Sequence, residues 1–144
     1  MKRIIFTSII MMFAVAAFSQ QIYNIKVSDR QDGTFEQYYG TVKVTGNILN
    51  GMKEGSWVEN HPNSELPHFI IQYKEGKKDG LYLEFDKQGN IVKKVDYKND
   101  MIDGMSHVWR KGGMLSVKQE YKAGQLHGLS MIYTDKGFIQ EESV

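Results

Sequence analysis

A period of twenty-four residues dominates this chain. The segment Tyr73-Lys74-Glu75-Gly76-Lys77-Lys78-Asp79-Gly80 is followed at that spacing by Tyr97-Lys98-Asn99-Asp100-Met101-Ile102-Asp103-Gly104, and then by Tyr121-Lys122-Ala123-Gly124-Gln125-Leu126-His127-Gly128. A second glycine repeats in step, at Gly89, Gly113 and Gly137, and an earlier copy, longer by one residue, starts at Ile48 and carries Gly51 and Gly55. Regular periods of this length belong to chains in which each unit is a supersecondary element that buries its surface against its neighbours. Such a chain extends by stacking.

Each unit predicts two strands. Leu81, Leu83 and Phe85 fall on alternate positions, as do Met105, His107 and Trp109, and then Leu129, Met131 and Tyr133. Alternation places each triplet on one side of a strand, the apolar side on this reading, whereas helical spacing would scatter it. Phe69, Ile71 and Tyr73 behave alike, as do Ile91, Val95 and Tyr97 and then Leu115, Val117 and Tyr121. Asp86-Lys87-Gln88-Gly89 and Thr134-Asp135-Lys136-Gly137 predict type I turns closed by a left-handed glycine. Gly55, Gly80, Gly104 and Gly128 are read as ending the other turn, just before a strand, and Gly89, Gly113 and Gly137 as separating the two strands of a unit. The expected fold is all-β, an elongated antiparallel meander of stacked hairpins with units at 48–72, 73–96, 97–120 and 121–144. Residues 20–47 would cap this sheet or begin it as a degenerate repeat.

The first residues have a different grammar. Lys2 and Arg3 precede an apolar stretch over 4–18, broken only by Thr7 and Ser8, and the small residues Ala17 and Ser19 precede Gln20 and Gln21. This order predicts a signal peptide over 1–19, cut after Ser19, and a secreted or periplasmic protein. The uninterrupted apolar run, 9–18, is half the length of about 20 residues that a bilayer span needs. Removing Lys2 and Arg3 takes the formal charge from +1 to −1, which argues against nucleic acid as a partner. The absence of cysteine excludes thiolate zinc sites, disulfides and lipid attachment through cysteine.

The pattern Tyr-Lys-x-Gly-x-x-Asp-Gly, an alternating strand, a further glycine and a second strand resembles the MORN-repeat variant family of bacterial proteins. Tyr73 to Gly89 is the nearest copy; Asp100 stands where a turn glycine is expected, and His127 where an acidic residue precedes the glycine. The resemblance implies stacked β-hairpins and a binding or scaffolding role. It also implies the alternative of an antitoxin or immunity-type protein that neutralises a toxin, and, through related repeats, contact with membrane lipid. It supplies no catalytic residues and no cofactor.

The residues themselves give no catalytic set. His61, His68, His107 and His127 lack metal-ligand spacing. Glu84 and Asp86 share a strand face at about 6–7 Å, but the following units place Val108 with Arg110 and Ile132 with Thr134 there. Gly112-Gly113 lacks the Lys-Ser/Thr of a phosphate loop, and Asp32-Gly33 lacks the ligand spacing of a calcium loop. The candidate contacts for a protein partner are aromatic: Trp109 and Tyr133, in one slot of successive units, and the row Tyr73, Tyr97 and Tyr121. The expectation is a non-catalytic binding protein without metal or cofactor.

Overall fold

The computed structural model describes residues 21–143. The predicted signal segment lies outside them. A single helical turn, α1 (Gln21–Asn24), precedes ten strands: β1 (Gly33–Tyr39), β2 (Val42–Leu49), β3 (Met52–Asn60), β4 (Pro67–Lys74), β5 (Lys77–Phe85), β6 (Ile91–Lys98), β7 (Met101–Trp109), β8 (Leu115–Lys122), β9 (Gln125–Tyr133) and β10 (Ile139–Ser143). They form one open antiparallel sheet in sequence order, so every strand pairs with its chain neighbours. The all-β meander of hairpins is what the period dictates.

Two kinds of turn alternate along it. On one rim the links have two residues with positive φ at both, Asn50-Gly51, Glu75-Gly76, Asn99-Asp100 and Ala123-Gly124. This geometry matches the twist of a tight hairpin. On the other rim Gly89, Gly113 and Gly137 close type I turns, donating to Asp86, Arg110 and Thr134 at 3.0 Å each. These are the turns the sequence predicts.

The tight turns are tied to the preceding unit. The N–H of Glu75 donates to Glu54 at 2.8 Å, that of Asn99 to Asp79 at 3.3 Å and that of Ala123 to Asp103 at 3.1 Å. The next N–H in each turn donates to the backbone of the same preceding strand, Gly76 to Lys53, Asp100 to Lys78 and Gly124 to Ile102. The acidic residue before each repeat glycine is therefore a side-chain cap for the following hairpin. Asp103→Ala is expected to lower unfolding stability by about 1 kcal/mol, the scale of a charge-assisted hydrogen bond at a surface. His127, exposed, caps no turn among the described residues, and His127→Ala is expected to stay within about 0.5 kcal/mol. Urea titration of the two variants checks the contrast, and equal losses would contradict the capping role.

Two sequence expectations need correction. Gly55, Gly80, Gly104 and Gly128 do not precede strands; they lie inside β3, β5, β7 and β9. Each sits at a bulge where one residue of a strand faces three of the next, as between Ile71↔Tyr82 and Tyr73↔Lys78. The buried side of β5 is also the other one. Tyr82 is buried, whereas Leu81, Leu83 and Phe85 are half-exposed.

The reason lies in residues 21–32, which do not join the sheet. Ile22, Ile25 and Val27 are buried in one cluster with Phe35, Val44, Ile48, Trp57, Phe69, Ile71, Tyr73, Tyr82 and Val95. This strap gives the N-terminal part of the sheet an inner face. β1 and β2 start the sheet, and residues 21–32 cover one face of it. Beyond Val95 the cluster stops. The slot held by Tyr82 passes to Ser106 and Ser130, each 8% exposed, and Gln119 bridges across by donating to Ser130 Oγ at 3.1 Å.

Candidate functional site

The register separates the five aromatic candidates. The row Trp57, Ile71, Tyr82, Val95, Ser106, Gln119 and Ser130 runs across the inner face, and Tyr73, Tyr97 and Tyr121 lie two residues from Ile71, Val95 and Gln119 on that same face. The outer face carries Val58, Ile70, Leu83, Lys94, His107, Lys118 and Met131. Trp109 and Tyr133 belong to the outer face. The aromatic residues do not make a single surface.

The inner tyrosines are used in packing. Tyr73 is buried and Tyr97 packs against the cluster. Each receives a cation from an adjacent strand, with Lys53 Nζ 5.1 Å from the Tyr73 ring centre and Lys78 Nζ 4.5 Å from that of Tyr97. Tyr121, opposite Leu126, donates its hydroxyl to Gln119 Oε1 at 3.1 Å. On the outer face the Trp109 ring lies nearly parallel to His107, 16° between planes and 5.5 Å between centres. Tyr133 Oη approaches Met131 Sδ at 3.2 Å. All four of these side chains are half-exposed and none belongs to the buried cluster.

His107 stands between Lys94 and Lys118 in the cross-strand ladder. Burial, then Lys118 and Lys94, depress its proton affinity, and its Nδ1 is buried without a hydrogen-bond partner. Asp96 opposes this shift in part. Asp96 accepts from the N–H of Met105 at 3.0 Å, and the Glu120 carboxylate lies against Gly128. The outer face of β6, β7 and β8 thus offers a basic ladder beside aromatic rings.

Sequence reasoning missed the residues that secure the strap. Glu59, 1% exposed, accepts from the N–H of Ile22 at 3.2 Å, and Lys53, 7% exposed, donates to the carbonyl of the same residue. Two charged side chains of β3 therefore grip the backbone of one residue, Ile22, on both sides. Burial pushes the Lys53 ammonium down to about 8 from 10.5, and it pushes the Glu59 carboxyl up, opposed by the Ile22 bond. The signs are opposite in consequence. Between about pH 8 and 10 the unfolded chain holds more protons at Lys53 than the folded one, so stability rises with pH there, and Lys78, also lowered by burial, acts in the same direction. Glu59 contributes stability that is complete below its ordinary range and lost as pH rises through its folded value. Lys53→Met is expected to flatten the alkaline rise in thermal midpoint; an unchanged slope would mean that Lys53 is solvated.

The histidines His61 and His68, apart in sequence, stack at 4.3 Å. His61 Nε2 lies 3.1 Å from the carbonyl oxygen of Phe85, and burial, with His61 second, pushes His68 down to about 4. No third ligand joins them: the described residues contain no group of three or more His, Asp or Glu placed to hold a metal. Glu84 accepts from the Tyr82 hydroxyl at 3.2 Å, and Asp86 caps its own turn through Gln88 and Asn90, at 2.9 Å each. Among the described residues, no helix is long and apolar enough to cross a membrane. No protein-family model matches the chain, and no curated protein matches it.

Proposed function

We propose that this chain is an exported, non-catalytic binding protein whose repeat sheet engages a protein partner through its outer face around Trp109 and Tyr133. The observation that carries the reading is the asymmetry of the two faces. The inner tyrosines Tyr73 and Tyr97 are consumed by packing beneath the strap, whereas Trp109, His107, Met131 and Tyr133 stay half-exposed outside the buried cluster. Half-exposed aromatic and methionine side chains on a laddered sheet surface suit a protein interface. A role as one of the MORN-repeat variants is compatible with this reading and rests on the sequence pattern from Tyr73 to Gly137.

Export rests on the order of residues 1–19. A cut after Ser19 leaves Ile22 and the whole strap in the mature chain. N-terminal sequencing of the protein recovered from the envelope is expected to begin at Gln20; an intact Met1 there would overturn this part of the proposal.

The binding reading is tested by cross-linked capture from envelope extracts with the parent chain and with Trp109→Ser/Tyr133→Ser. Both side chains are half-exposed, so the variant is expected to keep its circular dichroism spectrum. A discrete captured polypeptide should fall at least tenfold with the variant. Identical capture by parent and variant would refute the assignment of the face.

A further inference from the structure

The strap is held at its far end by its own last residue. Asp32, just before β1, reaches back to the turn between β2 and β3 and accepts from both of its N–H groups, that of Asn50 at 2.8 Å and that of Gly51 at 3.1 Å. Ser28 crosses directly over the same turn: a Cβ on Gly51 would lie 3.3 Å from the Ser28 carbonyl oxygen. The strap is thus latched twice, at Ile22 by Lys53 and Glu59 and at the Asn50-Gly51 turn by Asp32. We propose that Asn50 is a site of spontaneous covalent modification, converting to isoaspartate through a cyclic imide with Gly51, that Asp32 restrains the conversion, and that the product releases the second latch.

Asn50 alone of the seven asparagines precedes a glycine. The missing Cβ leaves the Gly51 nitrogen unhindered, and Asn50 is exposed, so water has access to the imide. In the first step the Gly51 nitrogen loses its proton and bonds to Asn50 Cγ, while the Cγ–Nδ2 bond breaks and the side-chain nitrogen leaves with a proton as ammonia. Water then opens the ring. Cleavage at the backbone carbonyl of Asn50 leaves the chain running through Cγ, as isoaspartate, and cleavage at Cγ leaves aspartate. The net change is water for ammonia, without oxidation. Asp32 opposes the first step, because the N–H that must ionise is one that its carboxylate accepts. The bonds from Asn50 and Gly51 hold that carboxyl below its ordinary range, so it is charged wherever the nitrogen could ionise, and a second negative charge beside it is disfavoured. The second step undoes the latch. Isoaspartate adds a methylene to the backbone of a two-residue turn with positive φ at both positions, and it sets a new carboxylate beside that of Asp32.

The experiment stores the purified full chain at mildly alkaline pH, native and in concentrated urea. Peptide mass spectrometry follows each asparagine, and methylation by an isoaspartyl methyltransferase reports the isomer. Asn50 is expected to convert before every other asparagine, at least tenfold more slowly in the native chain than in urea. Asp32→Ala should raise the native rate at least fivefold; Asp32→Asn, which removes the charge and keeps an acceptor, serves if the alanine variant does not fold. Asp79→Ala takes the equivalent acceptor from the Asn99-Asp100 turn and should leave the Asn50 rate within twofold of the parent. In the isolated isoaspartate form, amide hydrogen exchange over 22–32 should be at least tenfold faster than in the parent, with β5 and β6 unchanged. Earlier conversion at another asparagine would overturn the site. An unchanged rate in the Asp32 variant, or an equal rise in the Asp79 variant, would overturn the restraint, and a lowered rate would make the carboxylate the base that takes the proton, which also overturns it. Unchanged exchange over 22–32 in the isoaspartate form would overturn the release of the latch.

Discussion

Trp57→Ala is expected to lower unfolding stability by about 3–5 kcal/mol, the range for removing a large buried ring. Trp57 is 0% exposed, its Nε1 donates to the Asn47 carbonyl at 3.1 Å, and it packs on Phe35 and Tyr73 at 4.9 and 6.4 Å between ring centres. The indole also occupies the space above Gly46, where a Cβ would lie 2.2 to 2.7 Å from its ring atoms. No small shift accommodates such an overlap. Gly46→Ala is therefore expected to cost about 3 kcal/mol by overpacking when Trp57 is present, and below about 1 kcal/mol once Trp57→Ala has emptied the space. Urea unfolding of the four proteins measures this coupling. Additive losses would show that Gly46 and Trp57 do not compete for one volume.

The second large effect concerns the glycines inside the strands. Gly104 has φ +122, a region L side chains rarely adopt, and a Cβ there would lie 2.9 Å from Asp96 Cβ and 3.0 Å from its Oδ2. Gly104→Ala is expected to cost about 3 kcal/mol, combining backbone strain with displacement of the carboxylate that accepts from Met105. Gly80 repeats the arrangement, with Gln72 Oε1 2.2 Å from the position a Cβ would take. Gly55 fills the same repeat slot with φ +67 and nothing within 4 Å. There alanine should cost only about 1 kcal/mol, the ordinary penalty of a left-handed residue. Thermal or urea unfolding of Gly55→Ala and Gly104→Ala decides the matter, and equal penalties would contradict the role given to Asp96.

The meander was legible because a fixed period leaves few architectures, and the turn residues name their geometry. Asp86 to Gly89 predicts its type I turn from composition alone. The bulges were not legible. Gly80 reads as the end of a turn because its function depends on Gln72, a partner in the neighbouring strand that no local pattern marks. The choice of buried face was misjudged for a related reason. In an isolated unit Leu81, Leu83 and Phe85 form the more apolar side, but the face that is buried is decided by where Ile22, Ile25 and Val27 lie, outside the period. Trp57 against Gly46 was the available signal: a large ring opposite a glycine one strand away suggests a filled interior. For the candidate site, sequence spacing correctly placed Trp109 and Tyr133 in one slot. It could not show that the Tyr73 row points to the other side, since the bulge count sets how strand parity is carried between rows. Lys53 and Glu59 carry no local signal of burial, and only the strap makes them interior.

The confinement of the buried cluster to residues up to Val95 has a consequence for how the molecule comes apart. A stacked sheet is a one-dimensional assembly, and its cooperativity travels through interfaces between adjacent units. Here the interfaces are unequal, with hydrocarbon and aromatic rings joining β2 to β6 and mainly ladders and small polar groups joining β7 to β10. The C-terminal hairpins can therefore fray while the strapped half remains intact, opening at a lower free energy than the whole. Trp109 and Tyr133 stand on that looser half. A molecule bound across them would act as a splint, extending to the far end of the sheet the rigidity that the strap gives to the near one.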